Sequence, residues 1–246
     1  MSIAISDVEI EYPESDGKPM AETEWHIDAI IRMRSMLKHR YHGKQVYIGS
    51  DLLVYYTKGN PKDSVAPDVF AALDCDPKVR GTFKVWEEQR VPDVVFEFTS
   101  PSTANEDKHN KPKIYAQIGV KELFLFDPTG DYLIPNLQGF RFVKGKPLPI
   151  ESHNGQYFSE VLNVHLSSIA DPLSANQWRL RLIDTNTGKE VLTGEESERQ
   201  AKEVERQAKE VERRLKEEER EKRIAAEKQV EQLQAELNQL RKQMNG

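Results

Sequence analysis

The sequence predicts a mixed α/β domain followed by a long C-terminal helix. Residues 21–40 form a helical pattern with a broad apolar face, several strand-like runs follow, and a short helix precedes the last strongly apolar run. Meandering strands with one helical crossover favour a mixed sheet flanked by helices over a regular doubly wound sheet. All aromatic residues lie before position 179. We therefore expect one domain over residues 1–190 and a separate tail over residues 195–246.

The predicted elements of this domain follow one another without long gaps. The helix over 21–40 carries its apolar side chains at helical spacing. Runs of β-branched and aromatic residues predict strands at 45–49, 52–56, 69–73, 94–99 and 123–126, with a helix over 113–118 before the last of these. Alternating stretches predict further strands at 8–12, 140–143, 158–166 and 178–183. Thr185-Asn-Thr-Gly188 has the composition of a hairpin turn.

Composition excludes several classes of protein. The chain of 246 residues has a net charge of −6, which argues against a general nucleic-acid coat held by bulk charge. It does not exclude a local basic groove. No apolar run approaches the ~18 residues of a membrane helix, no signal peptide is recognisable at the N-terminus, and a single cysteine, Cys75, excludes a disulfide framework. These features indicate a soluble cytoplasmic protein without membrane contact.

The tail carries a seven-residue repeat that begins at Arg199. Apolar residues recur at alternating spacings of three and four, which is the pattern of a coiled coil. They are Ala201, Val204, Ala208, Val211 and Leu215, then Val230, Leu233, Leu237, Leu240 and Met244. The two runs are offset by one residue around 222–228, where the winding must change. We expect homo-oligomerisation through residues 195–246; a lone or partner-seeking helix is the alternative.

Two carboxylates adjoin the most apolar strands. Glu97 interrupts the run Val94-Val-Phe-Glu-Phe98, and Asp68 directly precedes the run 69–73. A carboxylate in a buried strand is costly unless it is paired, hydrogen-bonded or bound to metal. If the two strands are neighbours, both acids converge at one sheet edge, where their oxygens suit Mg²⁺ or Mn²⁺. The alternative is a structural role, in which Glu97 caps a neighbouring backbone group.

Lys111 is the candidate cation for this site. Pro112 belongs in the first turn of a helix, so Lys111 lies at or just before the helix start, close to the end of the loop that leaves Glu97. An ammonium there can stabilise charge that develops on a phosphate. The alternative is that Lys111 is simply an exposed lysine on a solvated helix.

The chain resembles the Uma family of restriction endonucleases, a branch of the PD-(D/E)XK nuclease superfamily. The resemblance covers roughly residues 20–185. Its matching pieces are Pro67-Asp68-Val69, Trp86-Glu87-Glu88, Pro92-Asp93-Val-Val-Phe-Glu97, Ser100-Pro-Ser-Thr103, Asp107-x-x-x-Lys111-x-x-x-Tyr115, and Gly119-Val-Lys-Glu122 leading to Asp127-Pro128.

The resemblance implies a restriction-endonuclease-like fold and a Mg²⁺- or Mn²⁺-dependent site that hydrolyses phosphodiester bonds, with DNA as substrate. Carried over by position, Asp68 and Glu97 are the metal-binding acids. Thr99 stands where the general motif has lysine. The resemblance therefore implies that the lysine has moved to the following helix, as Lys111 with Lys113 as substitute.

A further acid on the first helix, Glu22 or Glu24, is an accessory candidate for the same site. Two hypotheses remain open. In the first, the chain is a metal-dependent endonuclease assembled through its tail. In the second, it is a non-catalytic scaffold whose nuclease-like domain carries the coiled coil; the absence of an obvious basic, aromatic-laced stripe favours this second interpretation.

Overall fold

The computed structural model describes residues 10–15, 23–172, 174 and 177–244. The chain divides into two compact units, Met1–Gly194 and Glu195–Gly246. The elements of the first unit are, in chain order, α1 (Glu24–Arg40), β1 (Val46–Ser50), β2 (Val54–Tyr55), β3 (Ser64–Val65), β4 (Val69–Leu73), β5 (Phe83–Lys84), α2 (Val85–Glu88), β6 (Val94–Phe98), α3 (Ala104–His109), α4 (Lys111–Ile118), β7 (Glu122–Phe126), β8 (Leu137–Val143), β9 (Lys146–Pro149), β10 (Gln156–Ser159), β11 (Val164–Ala170) and β12 (Trp178–Asp184).

A six-stranded mixed sheet forms the centre of this unit, in the order β1-β4-β6-β7-β8-β9. Only the β6–β7 pair is parallel; the other neighbours are antiparallel. The parallel pair needs a crossover, because its second strand must start at the same edge as the first. Helices α3 and α4 provide that crossover. The predicted mixed sheet flanked by helices is confirmed.

The central strands β4, β6 and β7 are buried on both faces, which explains their near-continuous apolar runs. On one face, α1 packs through Met33, Met36 and Leu37 against alternate strand residues, and the antiparallel sheet β10-β11-β12 extends that core. On the other face, Tyr115 of α4 and the small sheet β3-β2-β5 complete a second core.

Two glycines have clear structural reasons. Gly49 on β1 lies opposite Phe70 on β4, and a Cβ at this glycine would come within 2.2 Å of the Phe70 ring. Gly119 ends α4 with φ +93°, a left-handed conformation that glycine adopts without steric cost. The turn after α4 therefore returns the chain directly to β7.

The second unit is dominated by one helix, α5 (Gly194–Met244), of 51 residues. Ion pairs one turn apart, such as Glu205–Lys209 and Glu212–Lys216, run along its surface. Its apolar side chains are half to three-fifths exposed at Val204, Val211, Leu215, Ile224, Val230, Leu233, Leu237 and Leu240. No helix in the described part of the chain is both long and apolar enough to cross a bilayer.

Several boundaries differ from the sequence prediction. The single strand expected over 158–166 is two strands, β10 and β11, because a turn at 160–163 reverses the chain. The described end of the segment 8–12 is not a strand, and its beginning lies outside the described residues. The hairpin turn at Thr185–Gly188 is confirmed by the bond from the Asp184 amide to the Lys189 carbonyl.

Candidate active site

The register of β4 and β6 brings Asp68 and Glu97 together. Val69 pairs with Phe96, so one further step along the antiparallel ladder sets Asp68 opposite Glu97. Side chains alternate between the faces of a sheet, and the neighbours Val69 and Phe96 both point into the α1 core. Asp68 and Glu97 therefore share the opposite face, where Tyr115 of α4 lies.

Glu97 is fully buried, with 0% of its surface exposed, and both of its carboxylate oxygens accept hydrogen bonds. The Lys111 ammonium donates to Oε2 at 2.7 Å. The Tyr115 hydroxyl donates to Oε1. A buried charge with a cation and a second donor is compensated in the way that such a residue requires.

Lys111 is the first residue of α4, with Pro112 in the first turn, which confirms its predicted position at the helix start. Its ammonium also lies 3.0 Å from Oδ1 of Asp107. Asp107 belongs to α3 and has no exposed surface. The cation is therefore held from two sides, by a strand acid and by a helix acid.

Burial and charge set the protonation states of this cluster. Burial raises the pKa of the Glu97 carboxyl well above its ordinary value, against the opposing effect of Lys111. Burial alone would lower the pKa of Lys111, but the carboxylates of Glu97, Asp68 and Asp107 together raise it above its ordinary value. Burial and the Glu97 charge also raise the pKa of the Tyr115 phenol. Lys111 and Tyr115 thus keep their protons and remain donors.

Asp68 occupies the partly open side of the site. Its side chain is 20% exposed, and its Oδ2 accepts a bond of 2.6 Å from the backbone amide of Phe98. The imidazole Nε2 of His26, on α1, lies 3.9 Å from the same oxygen and bonds to the Phe98 carbonyl oxygen. Because a carbonyl only accepts, Nε2 of His26 carries the hydrogen. His26 thus orients the backbone just beyond Glu97.

The remaining sequence candidates are Lys113, Glu24 and Glu22. Lys113 is exposed on α4, and Glu24 is exposed at the first residue of α1. None of the hydrogen bonds or ion pairs found among the described residues joins either of them to Asp68 or Glu97. Glu22 lies outside the described residues. From the first helix, the structure brings His26 to the site instead of Glu24.

Asp93 lies at the opposite end of β6 from Glu97. One of its oxygens accepts a bond of 2.7 Å from the Leu73 amide, and the other lies 2.7 Å from the Lys121 ammonium. These contacts tie β4, β6 and the start of β7 together. Asp93 therefore bonds at the end of β6 away from Glu97.

Asp107, Tyr115 and His26 were not predicted as members of the site. The signal for the first two was present, because Asp107, Lys111 and Tyr115 are spaced by four residues and therefore lie along one helical face. Asn110 alone separates α3, which carries Asp107, from α4, which carries Lys111 and Tyr115. His26 had no comparable signal, since its contact with Phe98 spans 72 residues.

The donor set is suited to a hard divalent cation. Within the described residues, no group of three or more His, Cys, Asp or Glu side chains has an arrangement that could hold a metal ion. Mg²⁺, however, is commonly bound by one or two carboxylates and keeps several waters. Asp68 and Glu97 supply that number of oxygen ligands on one face, so the residues fit Mg²⁺ or Mn²⁺ and do not fit zinc.

One family model matches more than half of the chain. A family model described as "Uma2: Putative restriction endonuclease" matches residues 5–156. The chain is also similar to the crystal structure of a "putative nuclease belonging to DUF820" from Anabaena variabilis ATCC 29413, with 13% sequence identity and a TM-score of 0.40, over 60% of this chain and 80% of that one. No curated protein matches the chain. The match to the family model extends over more than half of the chain and includes Asp68, Glu97, Asp107, Lys111 and Tyr115; the chain belongs to the Uma2 family of restriction-endonuclease-type proteins.

Proposed function

We propose that the chain is a divalent-metal-dependent endonuclease that hydrolyses phosphodiester bonds in DNA. The observation that carries this proposal is that two acids and one cation lie together at one end of the neighbouring strands β4 and β6. Asp68 and Glu97 share one face, and Lys111 lies 2.7 Å from Glu97. Phosphoryl transfer needs hard ligands for a metal and positive charge close to the reacting phosphate, and these three side chains supply both.

Each residue of the cluster has a distinct task in this proposal. Asp68 and Glu97 hold Mg²⁺ or Mn²⁺, which when bound supplies Lewis-acid polarisation of the phosphate and a water of lowered pKa. The Lys111 ammonium offsets negative charge that develops in the transition state. Asp107 positions that ammonium, and Tyr115 fixes the Glu97 carboxylate through its hydroxyl.

A cleavage assay on supercoiled plasmid DNA tests the proposal. We expect the wild type to nick or linearise the plasmid in Mg²⁺ or Mn²⁺ and to stop when EDTA is in excess. Asp68→Ala, purified in parallel, controls for contaminating nuclease and is expected to be inactive. Equal cleavage by the two proteins, or no cleavage by the wild type across a range of metal concentrations, would contradict the proposal.

A non-catalytic scaffold is the second candidate function. One observation favours it: both Glu97 oxygens already hold protein donors, and the side chain has no exposed surface. In this case the cluster serves the stability of the domain. The Asp68→Ala comparison separates the two candidates, because a scaffold needs no metal-dependent turnover.

We further propose that the tail assembles copies of this chain. Its apolar residues recur at heptad spacing and are half to three-fifths exposed along α5. Burial of such a seam against a second copy removes apolar surface from water at a gain of roughly 25 cal/mol per Å². The leucine-rich part from Val230 onward is expected to hold most of this contact.

Deletion of residues 195–246 is expected to give a folded, monomeric product. Among the described residues, the two cores of the first unit are built from positions up to Val191. Light scattering would measure the mass, and circular dichroism the fold. If the shortened protein keeps the oligomeric mass of the full chain, the first unit holds the assembly and the tail does not.

A further inference from the structure

We propose that a basic cleft beside the edge strand β1 binds the phosphate backbone of the nucleic-acid substrate. The inference rests on the proposed function and extends it to a binding surface outside the acid–lysine cluster, which is formed by Asp68, Glu97, Asp107 and Lys111. The cleft has a volume of about 450 Å³ and lies between the C-terminal half of α1, strand β1 and the loop 77–80. Its basic side chains are Arg34, Lys38, His42, Lys44, Lys78 and Arg80.

Among the described residues that line this cleft, none is acidic, although the whole chain has a net charge of −6. Within the described residues, Arg34, Lys38, Lys44 and Lys78 form no ion pair with an acid. By contrast, Arg40 on the same helix pairs with Asp184. The cleft therefore brings several unneutralised cations close together, and such a local group attracts polyanions.

The cations of the cleft repel one another. Burial and the nearby Arg34 guanidinium both lower the pKa of Lys38. Arg34 and Lys38 are one helical turn apart on α1, both exposed. Like charges at this spacing are destabilising on an isolated helix, so a bound anion would relieve the repulsion.

Two tyrosines contribute apolar surface between the cations. The Arg80 guanidinium lies 4.2 Å from the centre of the Tyr47 ring, and the Lys44 ammonium lies 5.5 Å from that of Tyr41. Arg80 also bonds to Glu88 at 2.6 Å through two nitrogens. That pairing fixes the Arg80 guanidinium against the Tyr47 ring.

The cleft ends at β1, one strand from Asp68 and two strands from Glu97. Ser50, at one end of the cleft, pairs with Val69, which pairs with Phe96. The amide of Asp51 donates to the carbonyl of Asp68 at 3.2 Å. Two strand spacings separate Ser50 from β6, or roughly 10 Å. Duplex DNA carries a phosphate about every 3.4 Å along each strand, so phosphates that flank a bond held at Asp68 can reach the cleft.

The arrangement favours an extended polyanion over a small phosphate compound. The cations are on a helix, on the loop after it and on the separate loop 77–80, and they do not converge on one point. The sequence concealed the cleft, because its basic residues come from segments about forty residues apart. Lysines beside an edge strand also discourage that strand from pairing with the sheet of another molecule. The experiment below distinguishes this role from DNA binding.

The test measures binding of the full-length chain to a short fluorescent DNA duplex by anisotropy, in EDTA and at several salt concentrations. Each phosphate contact contributes about 0.9 to the slope of log K against log salt. We expect Arg34→Gln/Lys38→Gln to reduce that slope by about two and to weaken binding to all sequences alike. Lys44→Gln/Lys78→Gln is expected to act in the same direction.

Lys58→Gln/Lys146→Gln is the matched control, because it removes the same charge from two exposed positions outside the cleft. We expect it to leave the slope unchanged. Identical slopes for the cleft and control variants, or no DNA binding by the wild type, would overturn the proposal. If the cleft variants lower the salt slope but the wild type does not cleave plasmid DNA, the cleft proposal is supported and the nuclease proposal is refuted. If the wild type cleaves DNA but the cleft variants bind it as the wild type does, the nuclease proposal is supported and the cleft proposal is refuted.

Discussion

Lys111→Ala is expected to slow metal-dependent DNA cleavage by roughly a hundredfold or more, as for the loss of one electrostatic stabiliser in other enzymes. The ammonium lies 2.7 Å from Glu97 and 3.0 Å from Asp107, which fixes it next to the proposed reacting phosphate. A cation that acts mainly on the transition state changes turnover more than substrate binding. Single-turnover cleavage by the folded variant measures this effect.

The same substitution also affects stability. It leaves the Glu97 and Asp107 side chains buried without their cation, which costs about 3–5 kcal/mol for a buried pair. Lys111 opposes the rise in the pKa of Glu97, so its loss favours the protonated acid and weakens metal binding at neutral pH. From the sequence alone, metal affinity is expected to survive; the buried contacts predict a partial loss. Lys111→Met, which keeps most of the volume, limits the packing defect.

Lys113→Ala is the matched control for this experiment. Lys113 belongs to the same helix but is exposed, and surface substitutions of this kind change stability by no more than about 0.5 kcal/mol. We expect wild-type cleavage and an unchanged melting temperature. An essential Lys113 with a dispensable Lys111 would mean that the migrated lysine has been misidentified.

Glu97→Ala is expected to abolish Mn²⁺ and Mg²⁺ binding in calorimetry, and cleavage with it. The substitution removes one of the two proposed oxygen ligands and leaves the Lys111 ammonium without the Glu97 carboxylate as its partner. Glu97→Gln keeps the shape and an acceptor for Lys111, so it separates loss of the metal from loss of the fold.

In the wild type, burial raises the pKa of Glu97; metal affinity should therefore fall as the pH is lowered through that raised value.

Asp93→Ala provides the comparison within the same strand. Asp93 lies four residues from Glu97, about 13 Å along an extended strand, and its contacts are with the Leu73 amide and Lys121. We expect a loss of stability of about 1–2 kcal/mol from the unsatisfied amide and only a modest change in Mn²⁺ affinity. A larger loss of metal binding in Asp93→Ala than in Glu97→Ala would move the site to the other end of the strand.

Local patterns were sufficient to predict the strands that carry the site. β4 matches its predicted range, and β6 differs by one residue, because their near-continuous apolar runs are typical of a central strand buried on both faces. Pro112 located the start of α4 because its ring fits only the first turn of a helix. The acid–lysine cluster follows from these local rules and one assumption, that β4 and β6 are neighbours.

Features that depend on distant contacts could not be predicted in this way. Arg34 and Lys78 meet in one cleft because α1 and the loop 77–80 lie on either side of β1, and no local pattern encodes that arrangement. The division of 158–166 into β10 and β11 was missed because the turn at 160–163 contains the apolar residues Val161 and Leu162, which continue the strand-like pattern. His26 reaches the site only through the packing of α1 on the sheet.

The most direct test of the proposed metal site is the position of Mn²⁺ in a crystal of the full-length protein soaked with that ion. Anomalous scattering locates manganese independently of the surrounding density. We predict a single strong peak within ligand distance, roughly 2.0–2.3 Å, of carboxylate oxygens of both Asp68 and Glu97, and no such peak in crystals of Glu97→Gln. A peak elsewhere in the domain, or none between these two acids in metal-saturated crystals, would contradict the proposed metal-dependent mechanism.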